Sequence, residues 1–466
     1  MKRCRSAIIL AIERTWKRRI LKMTATKTAA KKFFTTSGRQ WLLIALTISG
    51  TASATTYKIL HAFTGGPDGG NPQAPLVADA AGNLYGTAPF GGNTASTCNS
   101  NSCGTVFELS KNSSGQWTTT VLHSFTGGAD GANPAGGLTL DAAGNLYGAA
   151  YDGGLNGLGV IFELSPTSTG SWTETVLYTF QPDSLSSFPF GQMIFDAAGN
   201  LYGVTFGSRF GSVFELSPSS TGEWKMTVLY APGGGRDGAD TEGGVVFDAA
   251  GNLYGVAPLG GDYAGCPHYS SLCGDVFVLH PNSVGSWYES HIFDFNGTGG
   301  ELPQAGLTTD KSGDLYGTTE LGGNLQGCGG SGCGVVYKLS GNTAAGWTET
   351  VIHNFGPGTS ADQDYLGAYP YAGVTFDSSG NLYGTTYAGG QTNYGTVYKL
   401  SPTATGDWQE TLLHSFSDGT DGSGPRSGVV LDKSGNIYGT SYYGGGGTGC
   451  GATSSSGCGV VYEITP

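Results

Sequence analysis

Charge is scarce in this chain: only 12% of its 466 residues are Asp, Glu, Lys or Arg. What charge there is falls unevenly. Residues 1–54 carry 12 Lys and Arg against the single acid Glu13, which leaves 10 bases and 34 acids, a net of −24, for the remainder. So acidic a remainder repels phosphate backbones, which excludes nucleic acid as an expected partner and favours cations or neutral ligands. Long amphipathic helical patterns are missing after residue 55, and so is any later apolar run long enough to span a bilayer. A phosphate-binding loop, an H-E-x-x-H helix and a Ser, His and Asp set that sequence can place together are missing too. Catalysis therefore has no positive signal. Proline is ordinary at 19 residues, and the 82 glycines follow no Gly-X-Y period, which excludes collagen.

What the chain has in abundance is repetition. The stretch Asp-Ala-Ala-Gly-Asn-Leu-Tyr-Gly begins at Asp79, and close copies begin at Asp141, Asp196, Asp248, Asp310, Asp377 and Asp432, spaced by 52 to 67 residues. Such periods mean one supersecondary unit used many times, as in solenoids, propellers or arrays. The second unit shows its plan: Gly136 to Asp141, a turn, Asn145 to Gly148, a Gly-Gly loop, Gly159 to Leu164, then Trp172 to Phe180. Each run is short, alternating or apolar, and bounded by turn formers, which predicts four strands, called A to D here. Short links make successive strands antiparallel neighbours, so each unit is one blade of an all-β propeller. Tyr57 to Phe63 matches strand D alone, and Ser427 to Ile464 supplies strands A, B and C. We therefore expect residues 55–466 to form a single seven-bladed β-propeller with four antiparallel strands per blade. The ring is closed by the N-terminal strand pairing with the C-terminal blade, which removes the open edge of a linear stack.

Residues 1–54 read as a signal peptide: an extended basic region up to Arg39, the apolar run Trp41 to Ile48, and Ala52-Ser53-Ala54 before cleavage near Ala54. Met23 offers a later start that brings the basic region to ordinary length. An uncleaved N-terminal anchor is the alternative, although about 20 apolar residues are normally needed to span. The expected location is secreted, periplasmic or cell-surface, with no membrane span in the mature chain. Nine cysteines comprise Cys4 in this leader and four close pairs, Cys98 and Cys103, Cys266 and Cys273, Cys328 and Cys333, Cys450 and Cys458. An even set in an exported chain predicts local disulfides, each stabilising its short loop by about 2 kcal/mol. Zinc is the competing reading, but no His lies close to three of the pairs, and His268 within the second has no counterpart.

In an up-and-down blade the A–B and C–D turns share one face, while the B–C loops and D–A crossings share the other. The first face is monotonous. The second is variable and carries all four Cys pairs, and variable loops on a rigid scaffold are where function usually lies. The Asp-x-x-Gly-Asn turn lacks the spaced carboxylates and distal Glu of a calcium loop, so its Asp is expected to accept turn hydrogen bonds, with the following Tyr packed between blades. His61, His123, His353 and His414 share one place in strand D with Tyr178, Tyr230 and Phe293 of other blades, an interchange with aromatics that says packing. The crossings carry Asp-Gly-x-Asn-Pro at Asp68 and Asp130, degraded at Asp237 and Asp421. Turn formation is the plainer reading of these, and a divalent cation such as calcium the alternative. The most unusual crossing, Gly356 to Tyr371, offers Asp362, Asp364, Tyr365, Tyr369 and Tyr371. With Tyr263, His268 and Tyr269 in the long B–C loop of blade four, these form the candidate ligand surface. Rings take apolar sugar faces and polar groups take hydroxyls. No catalytic residue, metal ligand or cofactor is assigned.

The repeated G-N-L-Y-G-T-T, the G-T-V-F-E-L-S-P run from Gly104 and the W-T-E-T-V-L-H-S-F run resemble the GloVer tandem repeat of bacterial choice-of-anchor proteins, over about residues 57–466. The resemblance implies exported, propeller-like repeat proteins without an established activity, often with a C-terminal anchoring module. This chain departs from that pattern by ending at Pro466 directly after its last strand, which favours free secretion or a periplasmic location. The expected function is a non-enzymatic scaffold, monomeric, that binds a glycan, protein or other ligand through its B–C and D–A loop face. A propeller enzyme of lyase, lactonase or glycan-cleaving type, with an acidic central channel, is the first alternative. A purely structural surface protein is the second.

Overall fold

Each predicted run becomes a strand because the residues beside it turn the chain. A computed structural model describes residues 55–93, 98, 102–182, 186–207, 210–261, 266, 272–283, 285–342, 345–356, 367–450 and 457–466. In it, seven four-stranded antiparallel sheets follow one another as the blades of a propeller. Blade one has Val77–Ala78, Leu84–Ala88, Thr105–Lys111 and Trp117–Ser124 as strands A to D, with Leu84 paired to Leu109 and Phe107 to Val121. Strand B is buried throughout and strand C nearly so, because sheets pack against both of their faces.

Strand A is shorter than its sequence suggests: the run expected from Gly136 forms only Thr139–Leu140. Near the axis the blades crowd together, and the glycines before strand A lie against the backbone of the next blade. A Cβ on Gly243 would stand 2.5 Å from backbone atoms of Ala305 and Gly306. Threonines of strand B stitch this inner turn to the following blade. Thr87, Thr318 and Thr385 hydroxyls donate to the carbonyls of Gly136, Ala372 and Ser427 at 2.9, 3.0 and 2.8 Å.

The ring closes by the expected route. Thr56–Ala62 pairs antiparallel with Val460–Thr465, Thr56 opposite Thr465 and Ile59 opposite Tyr462, and so completes the sheet of Val430–Leu431 and Ile437–Ser441.

Aromatic rings join the blades. The repeat tyrosines Tyr85, Tyr202, Tyr254 and Tyr438 meet Trp172, Trp287, Trp347 and Trp117 of the following blade at 6.0, 6.2, 5.8 and 5.9 Å. The Tyr85 hydroxyl donates to Asp79 Oδ2 at 3.2 Å, while Asp79 Oδ1 accepts the Ala81 and Asn83 amides at 2.9 Å. The turn aspartate is thus consumed by its own hairpin. In the third copy burial pushes Asp196 up, but bonds from Asn200, the Ala198 amide and the Tyr202 hydroxyl outweigh it and hold the carboxyl below its usual value.

The strand-D histidines pack, and they also anchor the crossings. His61, His123 and His414 set their edges on Phe63, Phe125 and Phe416. Their Nε2 atoms lie 3.2, 3.5 and 3.3 Å from carboxylate oxygens of Asp68, Asp130 and Asp421. Those carboxylates accept the amides of Thr64, Thr126 and Ser417 as well, so their acceptor capacity serves the crossing.

The cysteines pair locally as expected, with Cα separations of 5.1, 5.5, 5.3 and 5.4 Å. Each bridge closes a B–C loop, and the carbonyl of its second cysteine receives an amide from the next crossing. Asn133 donates to Cys103, Leu302 to Cys273, Tyr369 to Cys333 and Asn71 to Cys458, at 2.6 to 2.9 Å. The staples therefore fix the seams between blades on the variable face.

Candidate functional site at the channel mouth

Seven crossings deliver seven side chains to one place. Six of them turn inward through a non-glycine residue of positive φ, Asn71, Asn133, Phe188, Asp240, Leu302 and Tyr369, at 55° to 63°; Gly424 at 58° does the same in blade seven. A conformation so costly for most side chains persists only where surrounding contacts enforce it. Two residues later each chain reaches the axis. The residues there are Gln73, Ala135, Phe190, Glu242, Gln304, Tyr371 and Arg426, and all line one cavity of about 700 Å³. In so repetitive a chain, six residue types at one equivalent position mark the exception.

The ends of strand B add an outer ring of side chains, Tyr151, Phe206, Glu320, Tyr387 and Tyr442 among them. On the side of blades two and three, Tyr151 and Phe206 join Phe190 and Glu242 around a side recess, with Tyr151 stacked on Phe188 at 5.1 Å. On the opposite side the Arg426 guanidinium lies 4.3, 5.3 and 5.9 Å from the rings of Tyr442, Tyr387 and Tyr371. Its Nε is buried without a hydrogen-bond partner among the described residues. Blades four and five supply the acids between these aromatic walls. Glu320 is held at both oxygens, by the Tyr371 hydroxyl at 2.8 Å and by Gln304 Nε2 at 2.6 Å. Glu242 has no hydrogen-bond partner among the described residues and borders the cavity.

Electrostatics follows from this enclosure. Burial, then the charges of Asp240 and Glu320, push the Glu242 carboxyl up to about 7. Burial raises Glu320 too, opposed by the Tyr371 hydrogen bond and the Arg426 charge. A carboxyl raised in the folded state binds its proton more tightly there than in the unfolded chain, so ionisation works against folding as pH rises from about 4.5 to about 7. Glu242→Gln removes that penalty. The variant is expected to be more stable than the parent by about 1–3 kcal/mol at pH 8 and equal to it at pH 4.5. Thermal melts of both proteins across this range check it, and an equal difference at both ends would refute the assignment.

The sequence-predicted surface is only partly represented at this site. Tyr371 stands at the channel mouth. Tyr369, two residues earlier, is the positive-φ residue and packs into the seam with Cys333 and Phe355. Asp362, Asp364, Tyr365, Tyr263, His268 and Tyr269 lie outside the described residues.

The matched family is the Gloeobacter/Verrucomicrobia repeat, whose model fits residues 46–265, 173–365 and 326–466. The chain belongs to that repeat family. No curated protein is similar to it in sequence. Among solved structures, a Lactobacillus plantarum protein is 16% identical, covering 82% of this chain and 99% of its own, with a TM-score of 0.49. Within this Gloeobacter/Verrucomicrobia repeat chain, Glu242, Gln304, Glu320, Tyr387, Arg426 and Tyr442 escaped the sequence reading. An alignment of the seven crossings, in which the residue after the Pro or Thr varies while its neighbours repeat, finds Glu242, Gln304 and Arg426; Glu320, Tyr387 and Tyr442 sit at or just past the ends of strand B and need the fold.

Proposed function

We propose that this chain is an exported, non-enzymatic scaffold that binds a carbohydrate at the mouth of its central channel. The single observation that carries the reading is the convergence of the non-repeating side chains there. Two aromatic walls offer flat apolar faces, and Gln73, Gln304, Glu242 and Arg426 line the same cavity as donors and acceptors. Sugar rings present the matching surface, apolar C–H faces edged by hydroxyls. Arg426 Nε is a ready donor to a hydroxyl or carboxylate, because its desolvation is already complete. Four stapled loops are compatible with an oxidising compartment. No described helix is long and apolar enough to cross a membrane.

A glycan array probed with the purified chain identifies the ligand, and calorimetry measures it. Tyr371→Ala and Arg426→Ala are each expected to weaken binding about tenfold or more, with cooperative melting retained. Unchanged affinity in both variants removes the channel mouth from consideration, and an array without hits favours a purely structural protein.

One feature favours the enzymatic reading: Glu242 borders the cavity, and its burial pushes the carboxyl up to about 7, which suits a general acid. Products released from the bound glycan, lost in Glu242→Gln while binding persists, would move the chain to the glycan-cleaving class.

A further inference from the structure

Blade four departs from its six siblings at three positions that face one another. Where Asp275 opens strand C, the others have only Thr, Ser or Val; where His291 sits opposite Phe277 in strand D, they have Val, Leu or Ile. Where Asp294 pairs with Asp275, they have Ala, Ser, Thr or Asn. Three polar replacements meeting in one blade of seven are not explained by the scaffold, which is built without them elsewhere.

Their geometry is that of a ligand set. Nδ1 of His291 lies 3.8 Å from Asp275 Oδ2 and 3.8 Å from Asp294 Oδ1, and Nε2 lies 3.6 Å from Glu289 Oε1. These separations are too long for hydrogen bonds. Two ligands each about 2.1 Å from one ion stand about 3–3.5 Å apart, and the ligand atoms of Asp275, His291 and Asp294 all lie within 4.8 Å of one another, so a modest inward shift closes the set. Asp275 is 1% exposed, and among the described residues neither of its carboxylate oxygens has a hydrogen-bond partner; Asp294 Oδ1 and Glu289 Oε1 are likewise buried without one. Glycines admit the carboxylates: a Cβ on Gly261 would stand 2.8 Å from Asp294 Oδ1, and one on Gly238 3.3 Å from Asp275 Oδ2.

We propose that blade four binds one divalent transition-metal cation, of the manganese or zinc type, between Asp275, Asp294 and Nδ1 of His291. A mixed carboxylate and imidazole set suits these ions, whereas calcium and magnesium prefer oxygen alone. With Nδ1 on the metal, the Nε2–H points to Glu289, with Asp237 close by. A carboxylate behind a metal-bound imidazole fixes its ring and raises its basicity. The His291 side chain is 32% exposed, which leaves the ion open to water on that side. Cys273 lies two residues before Asp275, so the ion and the Cys266–Cys273 bridge would brace the same end of the blade.

The test uses the untagged chain, stripped with chelator and titrated with Mn²⁺, Zn²⁺ and Ca²⁺ by calorimetry. Beside it stands a variant returned to sibling residues, Asp275→Thr, His291→Val and Asp294→Ser. The parent is expected to bind one equivalent of Mn²⁺ or Zn²⁺, and the variant to bind it about 100-fold more weakly or not at all. Should the triple variant fail to melt cooperatively, Asp294→Asn, which keeps the side-chain shape, gives the same comparison. No binding by the parent at millimolar metal, equal binding by parent and variant, or a preference for Ca²⁺ would each overturn the proposal.

Discussion

Deletion of residues 56–63 is expected to abolish cooperative folding of the ring, and moving the same strand to the other end of the chain is expected to restore it. The deleted strand supplies the whole outer edge of blade seven, paired from Thr56 with Thr465 to Ala62 with Val460. Its side chains are structural as well. Tyr57 stacks on His414 at 3.8 Å, and Phe63, fully buried, meets Phe107 of blade one at 5.1 Å. Truncating one such phenylalanine costs about 3–5 kcal/mol, and whole proteins are stable by only about 5–15 kcal/mol. Losing the strand therefore exceeds what the fold can absorb. Because Thr56 lies beside Thr465 as Thr173 lies beside Ser165, a turn copied from Pro166 to Trp172 joins Thr465 to a transplanted Thr56–Phe63 in the hairpin of blade two. Circular dichroism melts distinguish the outcomes. A deletion that melts like the parent, or a permuted chain that does not fold, would contradict closure by this strand.

The next largest loss is expected from one histidine. His353 Nε2 in strand D of blade five lies 3.2 Å from Glu410 Oε2 in strand D of blade six, with side-chain exposures of 14% and 5%. His353→Phe copies Phe293 of blade four and removes the imidazole that faces the buried Glu410 carboxylate, whose oxygens accept no hydrogen bond among the described residues. Breaking a buried pair from one side costs about 3–5 kcal/mol, most of it the penalty of the stranded charge. Adding Glu410→Thr, the residue that blade one has at Thr119, removes that charge and should recover most of the loss. Denaturant unfolding of the two single variants and the double forms a cycle with a large coupling. Simple additivity would show that the pair contributes nothing at this seam.

The strands, the seven-fold count and the closing strand were all legible in the chain, because every copy repeats the same alternation between the same turn residues. The Tyr and Trp seam was half legible: packing of Tyr85 between blades was expected, and Trp172 as its partner needed the fold. The channel mouth was not legible for a geometric reason. Glu242 and Arg426 each stand alone in an ordinary crossing, and only the ring carries them to a common axis. Length of loop drew attention to the crossing that ends at Tyr371, and of its candidates Tyr371 alone stands at that axis among the described residues. The blade-four cluster was hidden differently. His291 falls two residues before the place shared by His61 and His123, so its register, facing Asp275 and Asp294, becomes visible only when strands C and D are paired.

The most direct measurement of the central claim is hydrogen–deuterium exchange on the chain with and without its array-selected saccharide. Binding at the channel mouth predicts slowed exchange in the peptides that hold Glu242, Gln304, Glu320, Tyr371 and Arg426, five segments far apart in sequence and adjacent in the ring. Protection confined to the Asp-x-x-Gly-Asn turns on the opposite face, or to the outer strands D, would contradict it.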